Sequence, residues 1–389
     1  MTQSPDSARM LSRLERLVGI DTQNPPGREV EAALWLAAEL KAMGFAVDTT
    51  EILPGRCNVA ARLDNGPGPT FAFNSHIDVV PVGGGWASDP LRLAERGGRL
   101  YGRGSCDAKG PIVGMLEALQ MLAADRASWR GTLMALFVAD EEAESRGAKA
   151  YVAGKPARID YVIVGEPTSN ATVAAHKGSL RPIVRVKGKT AHSGTPELGV
   201  NAVFQAARLL ARIEAHHKVV CTRCHPLVGS ASLTVTRISG GHADNVVPDA
   251  CELLVDRRLV PGEDEAAAIK EIQGLLDAAR SELGIEAEIV ALKPTTGGAT
   301  ETALDNPIVK AAIAAGLRQG ADGAPRGFQG ACDLVHFRSI GAQGVVVGPG
   351  SLDVAHKPDE FVPKDEFIRS SLVFRDAARQ MLQTSRANF

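Results

Sequence analysis

Aromatic side chains are few: three Trp, three Tyr and eleven Phe make up 4% of the 389 residues. A surface that recognises its ligand by stacking rings needs more of them, so a binding module of that kind is disfavoured. Charge of one sign is also missing, because 43 Lys and Arg face 45 Asp and Glu for a formal net charge of −2. No basic surplus exists to neutralise a phosphate backbone or to hold an anionic membrane, which leaves nucleic acid and membranes outside the expected partners. No run of about 18 apolar residues occurs, and Met1 to Met10 lacks the basic stretch followed by an apolar one that marks an export signal. A cytoplasmic location is the expectation. Cysteine is thin as well. Six are spread from Cys57 to Cys332, with only Cys221 and Cys224 close together, unlike the dense framework of a short secreted domain, so reduced thiols are expected.

What is present suits a globular α/β chain. Hydrophobic residues reach 44%, charged residues 23% and Gly numbers 40, which favours Ala, Val and Leu packing between many tight turns. A single core rarely grows past about 250–300 residues, so two domains are expected. Val30, Leu34, Ala37, Ala38 and Leu40 fall at helical spacing within 30–43, with Gly44 as the residue that ends the helix and a strand around 45–47 after it. Short apolar runs at 70–73, 132–138, 161–164 and 345–347 read as strands buried on both faces, with helical patterns such as 111–122 between them. The expected fold is α/β, a mixed and mostly parallel sheet flanked by helices.

From Arg181 the rhythm changes. The pattern reads strand 182–186, helix 200–215, strands 231–238 and 251–255, helix 263–283 and strand 286–292, the β-α-β-β-α-β order of a ferredoxin-like α+β unit. The α/β pattern resumes at 309–317. The second domain is therefore expected as an insertion, residues 180–293, within a discontinuous first domain of 1–179 and 294–389.

Chemistry-bearing residues gather after the expected strands. His76 and Asp78 follow the first, Asp140-Glu141-Glu142 the second, Gly165-Glu166-Pro167 the third, and Asp353 to His356 the last. The loop Gly102-Arg103-Gly104-Ser105-Cys106-Asp107-Ala108-Lys109-Gly110 precedes a helix. In open α/β sheets ligands bind beyond the carboxyl ends of the strands, so these segments converge on one rim. Several carboxylates brought together there repel one another and need a cation. Imidazole with carboxylate suits Zn²⁺ and, less selectively, Co²⁺ or Mn²⁺. His76, Asp107, Glu141, Glu142, Glu166 and His356 exceed the needs of one tetrahedral ion, whereas two ions sharing a carboxylate, with one Glu left as base, use them all.

These motifs, in this order and over essentially the full length, resemble the peptidase M20 family, and within it the acetylornithine deacetylase, succinyl-diaminopimelate desuccinylase and carboxypeptidase G2 group. The resemblance implies a di-zinc exopeptidase-like catalytic domain, an inserted lid and dimerisation domain, and a homodimer. It implies that Asp107 bridges the two metals, that His76 and Glu166 complete one site, and that Glu142 and His356 complete the other. Glu141 is then the general base, and Asp78 orients His76 by accepting its distal ring N–H.

In the inserted domain, Gly188-Lys189-Thr190-Ala191-His192-Ser193 is similar to the family segment whose histidine, here His192, stabilises the tetrahedral oxyanion of the partner subunit's site. Asn245 and Arg258 resemble positions that contact the carboxylate end of the substrate, a task suited to the guanidinium fork; Lys177 is a further substrate-binding candidate. His176-Lys177-Gly178-Ser179 departs from the Arg pair of the desuccinylases. Gly188-Lys189-Thr190 cannot be a P-loop, since Ile183 stands where its first Gly belongs. Cys221-Thr222-Arg223-Cys224-His225 fits a haem-attachment pattern or a stray metal site, but a connecting loop is the simpler reading.

The expected activity is cleavage of the amide bond of N-acyl amino acids, acetylornithine deacetylase-like, with a small-molecule substrate. The alternative is a metallo-carboxypeptidase or dipeptidase, or an N-succinyl or N-carbamoyl amino acid hydrolase, using the same metals.

Overall fold

The computed structural model describes residues 4–383. The chain divides into two compact units: one holds residues up to Ala174, Glu301–Gly327 and those from Cys332 onward, the other Ala175–Thr300 and Phe328–Ala331.

The first unit is built on a mixed sheet whose strands lie in the order Ala46–Leu53, Arg56–Asn65, Gly131–Val138, Thr70–His76, Tyr161–Val164 and Gln343–Val346. The order continues to Val173–His176 and Thr300–Glu301, where the chain leaves and re-enters this unit. The central strands Gly131–Val138, Thr70–His76, Tyr161–Val164 and Gln343–Val346 run parallel, while the strands before and after them pair antiparallel. Every residue of Gly131–Val138 and Thr70–His76 is buried, as an apolar strand covered by helices on both faces should be. Phe73 meets Phe71 and Phe374 edge-on, with ring centres 5.1 and 5.7 Å away.

Helix Lys109–Ala124 is apolar nearly all round and correspondingly buried. It packs against the long helix Lys364–Gln383, and the approach is close because Gly114 has no side chain: a Cβ there would lie 2.3 Å from Ser370 Oγ. Because the four central strands are parallel, their carboxyl ends share one edge, and the loops that follow them are delivered there.

The second unit has an antiparallel sheet in the order Ser232–Gly240, Ala250–Leu259, Gly178–Lys187 and Ala287–Lys293, with helices Ala202–Val220 and Glu265–Leu283. Its own core joins Val184, Val186, Leu209, Leu253, Val255 and Leu276 among others. Among the described residues, no helix is long and apolar enough to cross a membrane.

Candidate metal centre

The first unit gathers its chemistry at the carboxyl edge of the parallel strands. His76 is the last residue of its strand, which continues through the polar Asn74 and Ser75 instead of stopping with the apolar run at Phe73. Glu141 and Glu142 lie just past Val138 in a turn that Asp140 opens with φ 72°. Asp140 is held in that left-handed conformation from all sides. Its carboxylate accepts Arg56 Nη1 at 2.6 Å and Asn24 Nδ2 at 3.0 Å, and its carbonyl accepts Ser145 N–H at 2.6 Å; such compensation is what lets a non-glycine residue stay there. Glu166 follows Val164. His356, also left-handed with φ 61°, lies between Gln343–Val346 and the final helix.

Asp107 is the hub. Its Oδ1 lies 3.1 Å from His76 Nε2 and its Oδ2 3.3 Å from His356 Nε2, while His356 Nε2 is 3.1 Å from the Glu142 carboxylate. Glu166 Oε1 is 3.8 Å from His76 Nε2. Two sets of donor atoms lie within 4.8 Å of one another: His76, Asp107 and Glu142, and His76, Glu141 and Glu166. Glu141 thus reaches toward the same region as Glu166, and Glu142 toward Asp107. The resemblance leaves Glu141 outside any ligand set; in the structure its carboxylate is within ligating distance of one.

Asp78 does something different from what was expected. The ring Nδ1 of His76 faces the backbone carbonyl of Asp78 at 2.9 Å, not its carboxylate, whose nearer oxygen is 3.7 Å away. The carboxylate turns instead to the 141–142 backbone. Oδ1 accepts Glu141 N–H at 3.1 Å, and Oδ2 accepts Glu142 N–H at 3.2 Å and Asn24 Nδ2 at 2.8 Å. The reason is positional, since the buried turn presents two adjacent N–H donors that need an acceptor. The carbonyl still fixes the imidazole, because Nδ1 must carry a proton to be bonded; Nε2 then donates to Asp107 at 3.1 Å and would offer a lone pair to an ion only after giving up its proton.

The charges do not balance by themselves. Burial, then the neighbouring Glu166, pushes Glu141 well above the usual carboxylate range. Burial likewise lifts Glu142 and Glu166 to about 7, with Asp107 adding to both. Burial opposes the charge of Asp107 too, but hydrogen bonds from His356 and His76 overcome it and hold the group below its ordinary value. The hydrogen bonds of His356 to Asp107 and Glu142 raise it to about 10. Burial works against a charge on His76, yet Glu166 and Asp107 raise it well above the ordinary histidine value. So many buried carboxylates call for counter-charge, which divalent cations would supply. Buried imidazole and carboxylate oxygen, with no thiolate, are the donors that suit a borderline divalent ion, so the residues fit the expected metals.

Residues that the sequence reading passed over complete the surroundings. Glu29 pairs with Arg56, which also holds Asp140. Glu360 grips the Asp107 loop through backbone N–H groups. Asp333 is buried beside the site, and burial raises it to about 7. Only Glu360 had a signal, its place four residues after His356.

The remaining candidates belong to the second unit. His192 is exposed; its Nδ1 accepts Gly194 N–H at 3.0 Å, which leaves Nε2 as the outward atom. Its neighbour Ser193 bonds the carbonyl of Asn245 through the backbone at 3.0 Å. Arg258 is tethered by Asp256 at 2.7 Å, and Lys177 Nζ donates to Ser230 carbonyl at 2.7 Å. Burial lowers the Lys177 ammonium and the positive charge of Arg258 adds to this, which makes the two basic groups neighbours. Cys221 and Cys224 are free thiols. His217 Nδ1 accepts Leu233 N–H at 3.2 Å, and its Nε2 lies 3.3 Å from Cys221 Sγ; among the described residues this cluster forms no metal-holding group.

Comparison with known proteins agrees with the geometry. Residues 72–380 match the model of "Peptidase family M20/M25/M40". An acetylornithine deacetylase of Myxococcus xanthus is 34% identical over 355 residues, covering 87% of this chain and 89% of that protein. The aminopeptidase PepT of Bacillus cereus superposes with a TM-score of 0.80 at 20% identity, over 97% of this chain and 99% of the other. A Bacillus subtilis protein described as a dinuclear metal binding peptidase from the M20 family superposes with a TM-score of 0.75 at 17% identity, over 97% and 98%. A third of the residues shared along nearly the whole length, on top of the match to the family model, means that this chain belongs to peptidase family M20/M25/M40.

Proposed function

We propose that the protein is a di-metal amidohydrolase that removes the acyl group from N-acyl amino acids, in the manner of an acetylornithine deacetylase. The observation that carries this is the meeting of the buried His76, Asp107 and Glu166 with the half-buried Glu142, and a further buried carboxylate, Glu141, beside them. Asp107, His76 and Glu166 would hold one cation, and Asp107, Glu142 and His356 would hold the other. Two divalent ions held there, Zn²⁺ with Co²⁺ or Mn²⁺ as substitutes, would supply polarisation of the amide carbonyl and a more acidic water.

The chain's own groups do the rest. Glu141 accepts a proton from the attacking water as its oxygen bonds the carbonyl carbon, then delivers that proton to the amine nitrogen as the C–N bond breaks. Its buried position favours this exchange, because burial already draws the carboxylate toward its protonated form. Asp78 fixes the turn that aims Glu141. His192 supplies an N–H to the oxyanion, serving the active centre of the other protomer of a homodimer in which the second unit is lid and dimerisation surface. Arg258, Lys177 and Asn245 receive the substrate carboxylate.

Glu141→Gln is the test. The amide keeps the shape but cannot take a proton, so kcat falls by about 10²–10⁴ while bound metal is retained. Full activity in the variant overturns the assignment. A panel with one amino acid and varied acyl groups, followed by one acyl group and varied amino acids, compared by kcat/KM, then separates deacylase from peptidase.

A further inference from the structure

Glu360 stands outside the ligand set, yet it is fully buried and spends every contact on the loop that presents Asp107. Its Oε1 accepts the backbone N–H groups of Gly104, Cys106 and Asp107, each at 3.0 Å. Its Oε2 takes Arg103 Nη1 at 2.5 Å, and its own carbonyl accepts Gly102 N–H at 3.1 Å. Arg103 is buried as well, packed over the Trp86 ring at 5.1 Å, with Nη2 bonded to the Pro81 and Val82 carbonyls. The loop needs this grip. Gly104 sits at φ 84°, and a Cβ there would lie 2.8 Å from Val79 and 2.9 Å from Lys109, so the turn is both tight and crowded. Three converging N–H groups form a concave donor site, and a carboxylate is its complement. Because Glu360 follows His356 by four residues, one segment carries both a candidate ligand and the anchor of another.

We propose that Glu360 is the positioning residue of the metal centre: it holds the 102–107 loop so that the two oxygens of Asp107 face His76 and His356 at once. It touches neither metal nor substrate and acts through Asp107. The inference rests on the reading of this cluster as a metal site.

The test is the metal affinity of E360Q, measured by competition of Zn²⁺ with a chromophoric chelator and by the visible absorption of the Co²⁺ form, on the full chain. The amide oxygen can still receive N–H groups, but the charge that ties them to Arg103 is gone. Binding is expected to weaken about 10–100-fold, and the Co²⁺ bands to shift, as is usual when the support of a ligand is altered. E117Q is the comparison, since Glu117 is an equally buried partner of Arg9 and Arg13 remote from the ligands. It should lower stability and leave metal affinity unchanged. E360Q binding within about twofold of wild type, or E117Q weakening binding by the same factor as E360Q, overturns the proposal. Should E360Q not fold, R103K substitutes a single donor for the guanidinium fork, and unchanged affinity there overturns it equally. Wild-type protein that binds neither Zn²⁺ nor Co²⁺ overturns the metal-site reading instead.

Discussion

Two buried residues show how much one side chain can decide. In Asp78→Asn, one carboxylate oxygen becomes an amide N–H₂ aimed at a backbone N–H, so Glu141 or Glu142 loses its acceptor. An unsatisfied buried donor costs about 1–3 kcal/mol. The turn that aims Glu141 loosens, and kcat is expected to fall about 10–100-fold; steady-state kinetics with a full metal complement check this, and an unchanged kcat contradicts it. His176 offers a pH prediction. It is fully buried, its Nδ1 donates to the Lys177 carbonyl at 2.9 Å, and Nε2 has no hydrogen-bond partner among the described residues. Burial holds it down to about 4. The unfolded chain takes up the proton at the ordinary value while the folded chain refuses it. Its stabilising contribution is therefore complete above about pH 6.5 and is lost as pH falls toward 4. The difference amounts to about 2 kcal/mol between about pH 7.5 and pH 5. Urea unfolding of wild type and His176→Phe at both pH values should show the variant losing less stability on acidification by that amount; parallel losses contradict it.

Among the elements, the packing of helix Lys109–Ala124 on helix Lys364–Gln383 is the most exacting. Gly114→Ala improves helix propensity on paper, but its methyl would meet Ser370 Oγ at 2.3 Å and the Phe374 ring at 3.0 Å. A net loss of about 1–3 kcal/mol is expected from overpacking, read as a lower melting temperature, and an increase would show that the helices separate freely. The sequence announced this interface only in part. The apolar run through 111–122 was visible, as were the buried central strands and the helix ending before Gly44, because each carries a hydrophobic period of its own. The first helix, Ser7–Val18, the strand Arg56–Asn65 and the long final helix passed unread. Their signal is diluted by charged residues that become buried ion pairs, such as Arg13 with Glu117. Candidate ligands were legible because four of them follow an expected strand and Asp107 sits in a Gly-rich loop that precedes a helix. Glu360 had only its place four residues after His356, and Arg56 and Asn24 had no signal, since the partners of the three lie 253–257, 84 and 54 residues away in sequence and only folding brings them together.

At the scale of the whole molecule, the cation and the fold depend on each other. All five proposed ligands lie in the first unit, yet they come from segments spread between His76 and His356, on both sides of the second unit in sequence. Unfolded, these segments share no ligand geometry, so metal binds the native state almost exclusively and stabilises it by mass action, about 4 kcal/mol at a thousandfold excess over Kd. Removing metal also returns protons to a cluster in which Glu142 and Glu166 are both shifted to about 7 by burial. Stripping the protein with a chelator should therefore abolish amide hydrolysis and lower the melting temperature. Added Zn²⁺ or Co²⁺ should restore both together. Calorimetry of stripped and reloaded protein, with activity followed in the same samples, makes the check: a melting temperature indifferent to metal, with hydrolysis untouched by the chelator, would leave the carboxylate cluster without the counter-charge on which its burial depends.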